Sequence, residues 1–214
     1  ALDSGFVILD RGAAEVTLVS NELQVLRTWG RRGGGPGEFQ APAAVTVDQS
    51  GDTIWVLDAA PPRLVGFDRL GRIQRDFRLP VLGFDVTTDA HGNFYIAQRP
   101  MLTRSSQSGT TPLPLVTMFS REGTPLRTLH SAVPGNHDDP RVNLPGFVQP
   151  QLSSLGNRIA VSYPASGIVD IYDAGELAQT VQLCMPPDLK SAYDRQLREV
   201  TANTRSQQSI ALIS

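Results

Sequence analysis

Short apolar runs, alternating or β-branched and each closed by Asp, Gly or Pro, recur along most of the chain. From Ala44 the sequence reads AVTVD, the turn QSGD, then TIWVLD, a short AAPPR connection, LVGFD, the turn RLGR, and IQRDF. Runs of this length and period predict consecutive antiparallel hairpins, together one sheet of four strands. The order returns from Phe84 as FDVTTD, AHGN, FYIAQ, a long insert, LVTMFS, REGT and PLRTLH. From Gln151 it returns again as QLSSL, GN, RIAVSY, PASG, IVDIYD, AGEL and AQTVQL. The N-terminus supplies only FVILD, EVTLV and QVLRTW, a repeat without its opening strand.

About four repeats therefore follow one another at a spacing of roughly 40 to 50 residues, the period of a β-propeller blade. The expected fold is all-β, with blades at about residues 1–40, 41–80, 81–130 and 131–185 in a single propeller region. Gly51 and Gly92 fall between first and second strands, and Gly71 and Gly123 between third and fourth, where a tight hairpin needs positive φ. Asp48, Asp58, Asp68, Asp89 and Asp173 close strands, and as a series they read as caps accepting from the turn amides that follow. One segment breaks the pattern. In residues 188–205, Leu189, Tyr193, Leu197 and Val200 recur every three or four positions, which predicts a short amphipathic helix. The closing SIALIS then reads as the first strand of a further blade, or as a strand that closes a four-bladed ring by joining the first repeat.

Composition adds exclusions more than identity. The 214 residues carry a formal charge of -2 and 40% hydrophobic residues, so neither a nucleic-acid surface nor a disordered chain is indicated. Aromatic content of 7% adds nothing in favour of stacked bases. No apolar run approaches the roughly 18 residues of a membrane span. Cys184 is the sole cysteine, so no disulfide forms within the chain. Lys190 is the sole lysine, so arginine supplies nearly all the positive charge, a chain-wide bias that marks no single site.

The stretch from Trp29 to Phe77 resembles an NHL repeat, at Gly37, Phe39, Pro42, Asp48, Gly51, Trp55, Val56, Asp58, Arg63, Leu64, Phe67, Asp68 and Gly71. Where the family has an asparagine before the arginine, this chain has Pro62, and the other repeats follow by strand pattern alone. The insert-bearing third repeat and the helical linker are similar to those of bacterial six-bladed propellers found in exported or lipid-anchored proteins. The resemblance implies a non-catalytic scaffold outside the cytoplasm that binds a protein, a small molecule or a carbohydrate, without a cofactor. Some propellers of related fold are metal-dependent lactonases or lyases, which is the alternative reading and would add calcium.

Connections between blades, and between second and third strands, emerge at one end of a propeller, and long irregular loops there are where function concentrates. That end is expected to carry Arg31, Arg32, Arg63, Arg99, Arg104 and His137 as a ligand-binding surface. Arginine suits it through planar, multi-donor contacts with carboxylates and phosphates. Asn136, His137, Asp138 and Asp139 form the sharpest chemical cluster, with Asp138 and Asp139 as weak metal candidates. GRRGGGPG is basic and glycine-rich, but no Lys-Ser or Lys-Thr follows and the next element is a strand, so it is not a phosphate-binding loop of the nucleotide-hydrolase kind. No nucleophile, base and orienting group can be placed together from sequence, so no catalytic residue is assigned.

Overall fold

The computed structural model of the chain describes residues 5–98, 113–132, 149–164 and 166–184, together with Pro187, Ser191 and Arg195. Those three are helical; Ser191 and Arg195 fall within the helix expected over 188–205, and the rest of that segment, like the SIALIS strand, lies outside the described residues. The elements run β1 Gly5–Asp10, β2 Glu15–Ser20 and β3 Val25–Trp29, then β4 Pro42–Val47, β5 Ile54–Ala59, β6 Pro62–Phe67 and β7 Ile73–Arg78. They continue with β8 Gly83–Thr88, β9 Phe94–Gln98, β10 Leu113–Phe119 and β11 Pro125–Ala132, and end with β12 Gln151–Leu155, β13 Arg158–Tyr163, β14 Ile168–Asp173 and β15 Glu176–Gln182. Each sheet is an antiparallel meander in chain order, the first of three strands and the others of four. The first strands of the complete blades, β4, β8 and β12, touch in succession, and β1, the second-position strand of a blade without its first, contacts β4. This places β4, β8 and β12 innermost and makes the sheets successive propeller blades.

Three apolar layers hold the blades face to face. Between the first and second blades lie Val16, Phe39, Ile54, Val56, Val65 and Phe67. Trp55, Leu57, Leu64, Phe94, Ile96 and Phe119 fill the layer between the second and third. Tyr95, Leu115, Val116, Ile159, Val161 and Tyr172 fill the one between the third and fourth. Because side chains alternate across a strand, β5 sends Ile54 and Val56 one way and Trp55 and Leu57 the other, so a continuous apolar run is what a doubly covered strand requires. Among middle-strand residues, Trp55, Val56, Phe67, Tyr95, Ile96, Phe119, Ile159, Val161 and Tyr172 are buried, whereas Ile171 is half-buried because it faces away from the third blade.

Fourth strands latch each blade to the next. Trp29 of β3 lies against Gly71, where an added Cβ would sit 2.9 Å from the indole, and Phe77 of β7 lies against Gly123, where it would sit 2.5 Å from the ring. Both glycines also have positive φ, +74° and +84°, so they are fixed by backbone and by neighbour at once. Fourth strands also supply arginines: Arg75 of β7 donates to the Arg121 carbonyl at 3.1 Å and Arg127 of β11 pairs with Glu176, each on the following blade.

Candidate functional site

The two ends of the blades are built differently. At one end five turns repeat a single device: a Ser or Asp accepts, through one side-chain oxygen, from two amides that lie two to five residues ahead. Asp68 accepts from Leu70 and Arg72 at 2.9 and 2.8 Å, and Asp89 from His91 and Asn93 at 2.9 Å each. Asp48 accepts from Asp52 and Thr53, Ser20 from Glu22 and Gln24, and Ser120 from Glu122 and Thr124. His91 thus belongs to a structural turn. A cleft of about 250 Å³ between the second and third blades opens at this end, and the carboxylates lining it, Asp48 and Asp89, are the ones occupied by turn amides.

Asp58 departs from the capping series. It is fully buried, and its oxygens accept from the Ala41 and Gln40 amides at 2.7 and 3.2 Å, in the connection that precedes its own blade. Arg63 lies 3.3 Å from the same carboxylate, pairs with Asp76 at 2.9 Å and donates to the Glu38 carbonyl. Asp58 is therefore a clamp on the 30–41 connection, not a cap on the following turn. Asp173 is exposed and pairs with Arg158 at 3.5 Å.

At the opposite end a cleft of about 570 Å³ lies where β4 and β8 begin. Arg11, Arg32 and Gln40 supply its polar wall, and Pro42, Leu82 and Phe84 its apolar one. Arg11 comes from the turn joining β1 to β2, which Asp10 braces by accepting from the Gly12 and Ala13 amides at 2.8 Å. Its Nε donates to the Pro42 carbonyl at 3.3 Å. Arg32 donates through Nη1 to the Gln40 carbonyl at 3.1 Å and through Nη2 to the Gly12 carbonyl at 3.0 Å. Neither guanidinium has a carboxylate partner among the described residues, and the terminal nitrogens of Arg11 and Nε of Arg32 have no acceptor among them. Nearby, Asp85 of β8 accepts from the Leu152 amide at 2.7 Å, and burial holds its carboxyl above the usual carboxylate range.

The expected arginine surface divides accordingly. Arg32 faces the cleft, whereas Arg31 is paired with Glu38, whose carboxyl is held below its ordinary value by the Gly35 amide and then by Arg31. Arg63, expected as a ligand contact, is mostly buried and spends its donors on Asp58, Asp76 and Glu38. Arg99, Arg104 and His137 lie outside the described residues, as do the metal candidates Asp138 and Asp139. Arg11 is a residue that sequence reasoning passed over. The signal was present, since the connection between FVILD and EVTLV joins second- and third-position strands and so opens at the loop-bearing end.

No family model and no curated protein matches the chain. Solved structures do. A Bacteroides fragilis protein described as exported aligns with a TM-score of 0.62 at 13% identity, covering 86% of this chain and 48% of its own. Hydrazine synthase from Kuenenia stuttgartiensis aligns at 0.51 with 13% identity, covering 84% of this chain and 46% of its own. The WD40 repeats of RRP9 align at 0.52 with 12% identity, covering 84% of this chain and 47% of their own. At such identities the likeness is one of fold, and the chain spans about half the length of each of these structures.

Proposed function

We propose that this propeller is a non-catalytic binding scaffold of NHL-like type, part of a six-bladed ring acting outside the cytoplasm, that holds a protein, small-molecule or carbohydrate ligand at its loop-bearing end. The single observation that carries the reading is the cleft of about 570 Å³, whose walls combine guanidinium donors with apolar side chains. Sites of that size, mostly apolar with a few converging polar groups, are the usual form of a ligand pocket. The WD40 neighbour is a repeat propeller and the Bacteroides protein is described as exported, which favours a scaffold role and an extracytoplasmic place. The NHL-like pattern from Gly37 to Gly71 supports the finer family assignment.

Steric blocking tests the reading. With Cys184→Ser as background, a bulky maleimide on Gly12→Cys covers the cleft rim, and the same label on Ser50→Cys covers the hairpin end. Against a panel of acidic peptides, aromatic acids and oligosaccharides, the Gly12 label is expected to abolish whatever binding is found and the Ser50 label to spare it. Binding that survives the Gly12 label defeats the reading. Stoichiometric calcium in the purified protein, with lactone hydrolysis or lyase turnover lost on chelation, replaces it with an enzyme.

A further inference from the structure

We infer that the cleft between Arg11 and Arg32 is a subsite for an organic oxyanion, a carboxylate or phosphate carried on an apolar body. The inference rests on the binding reading above and specifies its ligand class.

Guanidinium groups at this end fall into two kinds. Arg31 and Arg63 are neutralised by Glu38, Asp58 and Asp76. Arg11 and Arg32 are held instead by neutral acceptors, the carbonyls of Pro42, Gln40 and Gly12. A carbonyl fixes the direction of a guanidinium without cancelling its charge, so both cations keep their charge and some of their N–H donors. They come from different connections, residues 11–14 and 30–41, and meet on one cleft. The terminal nitrogens of Arg11 and Nε of Arg32 are donors that the oxygens of a carboxylate or phosphate can accept from, and such charge-assisted bonds are roughly twice as strong as neutral ones.

The backbone that holds Arg32 is itself braced. Asp58 fixes the Gln40 and Ala41 amides, and Arg63 ties Asp58 to the Glu38 carbonyl. Donors anchored before a ligand arrives lose less freedom when it binds. The apolar part of the lining, Pro42, Leu82 and Phe84, gives a simple inorganic ion nothing to contact, whereas an acid with an apolar body buries surface there.

Calorimetric titration of the full chain at constant ionic strength, with benzoate, phenyl phosphate and the neutral isostere benzamide, tests the inference. At least one acid is expected to saturate with a millimolar or tighter dissociation constant and benzamide to bind at least about tenfold more weakly, the loss expected when a charge-assisted bond of about 1.4 kcal/mol is removed. The relative affinity of the two acids identifies the oxyanion. Arg11→Gln with Arg32→Gln should remove at least the same tenfold. Arg31→Gln should change nothing, and circular dichroism should confirm that each variant is folded; if the double variant is unfolded, Arg11→Gln alone decides by the same criterion. Failure of both acids to saturate, benzamide binding as well as they do, or undiminished affinity in the folded variant overturns the inference. If panel ligands are blocked by the Gly12 label yet ignore the arginine substitutions, the subsite is wrong and the scaffold reading stands. If the label blocks nothing, the scaffold reading fails.

Discussion

The hairpin end and the loop-bearing end of these blades are made from the same strands, yet they satisfy their polar groups in opposite ways. At the hairpin end Asp48, Asp68, Asp89, Ser20 and Ser120 bond amides within five residues. Gln49, a turn side chain that reaches farther, spends its amide on Thr88, Ser154 and Gly156, so little is left for a ligand. At the loop-bearing end the bonds run between connections. Asp58 reaches back to Ala41, Arg63 to Glu38, and Arg32 to Gly12 twenty residues away. Long-range bracing of this kind leaves Arg11 and Arg32 positioned but uncompensated. A repeat fold can thus close one end with local bonds and leave uncompensated donors at the other without changing its strands.

The largest effect is expected where the hairpin end meets the core. Phe67 and Phe119 are buried and stand just before the third-to-fourth-strand turns, so Phe67→Ala or Phe119→Ala should each cost about 3 to 5 kcal/mol in urea unfolding. Near-neutral stability in both variants would break the assignment of rigidity to these layers.

Arg63 sharpens the comparison because it is a structural arginine at the loop-bearing end. Replacing it by alanine leaves Asp58 buried without its cation, at a cost of about 3 kcal/mol. Asp58→Asn combined with Arg63→Ala should recover part of that loss, since the stranded charge is then gone. If the single variant unfolds like the parent, the clamp on residues 30–41 is not needed.

Asp85 gives a smaller effect that depends on pH. Its folded-state pKa is raised by burial, so over the range from an ordinary carboxylate value up to the raised one the native state binds more protons than the unfolded state. Stability from this group is therefore full at pH below the ordinary value and falls as pH rises through the raised one. In urea unfolding from about pH 4 to pH 7, the parent should lose stability relative to Asp85→Asn as pH increases. A constant difference between the two, or one that moves the other way, contradicts the assignment.

How much of this was legible in the sequence follows the same division. Turn aspartates and glycines could be read because their partners are close in sequence, and the register of Gly71 with Gly123 was visible in RLGR and REGT. Coverage of the strands was also encoded: IWVL in β5 and FYIA in β9 are continuous and covered on both faces, while EVTLVS in β2 and RIAVSY in β13 alternate. Outward-facing Phe6 and Ile8 of β1 are correspondingly exposed. Arg63 and Asp58 were misjudged because their roles depend on Glu38, Gln40 and Ala41, which no local pattern links to them. The arginines of IQRDF and PLRTL recur visibly, but their contacts with the following blade appear only when the blades are stacked.

The division between the two ends is tested most directly by one map of backbone amide chemical shifts as the tighter-binding acid, benzoate or phenyl phosphate, is titrated into the full chain. Shifts should concentrate at Gly12, Arg32, Gln40, Ala41, Ala59 and Gly83, around the cleft, and leave the turns at Ser50, Leu70, His91 and Glu122 unmoved. Shifts centred on those turns, or spread evenly over every exposed arginine, would contradict the account.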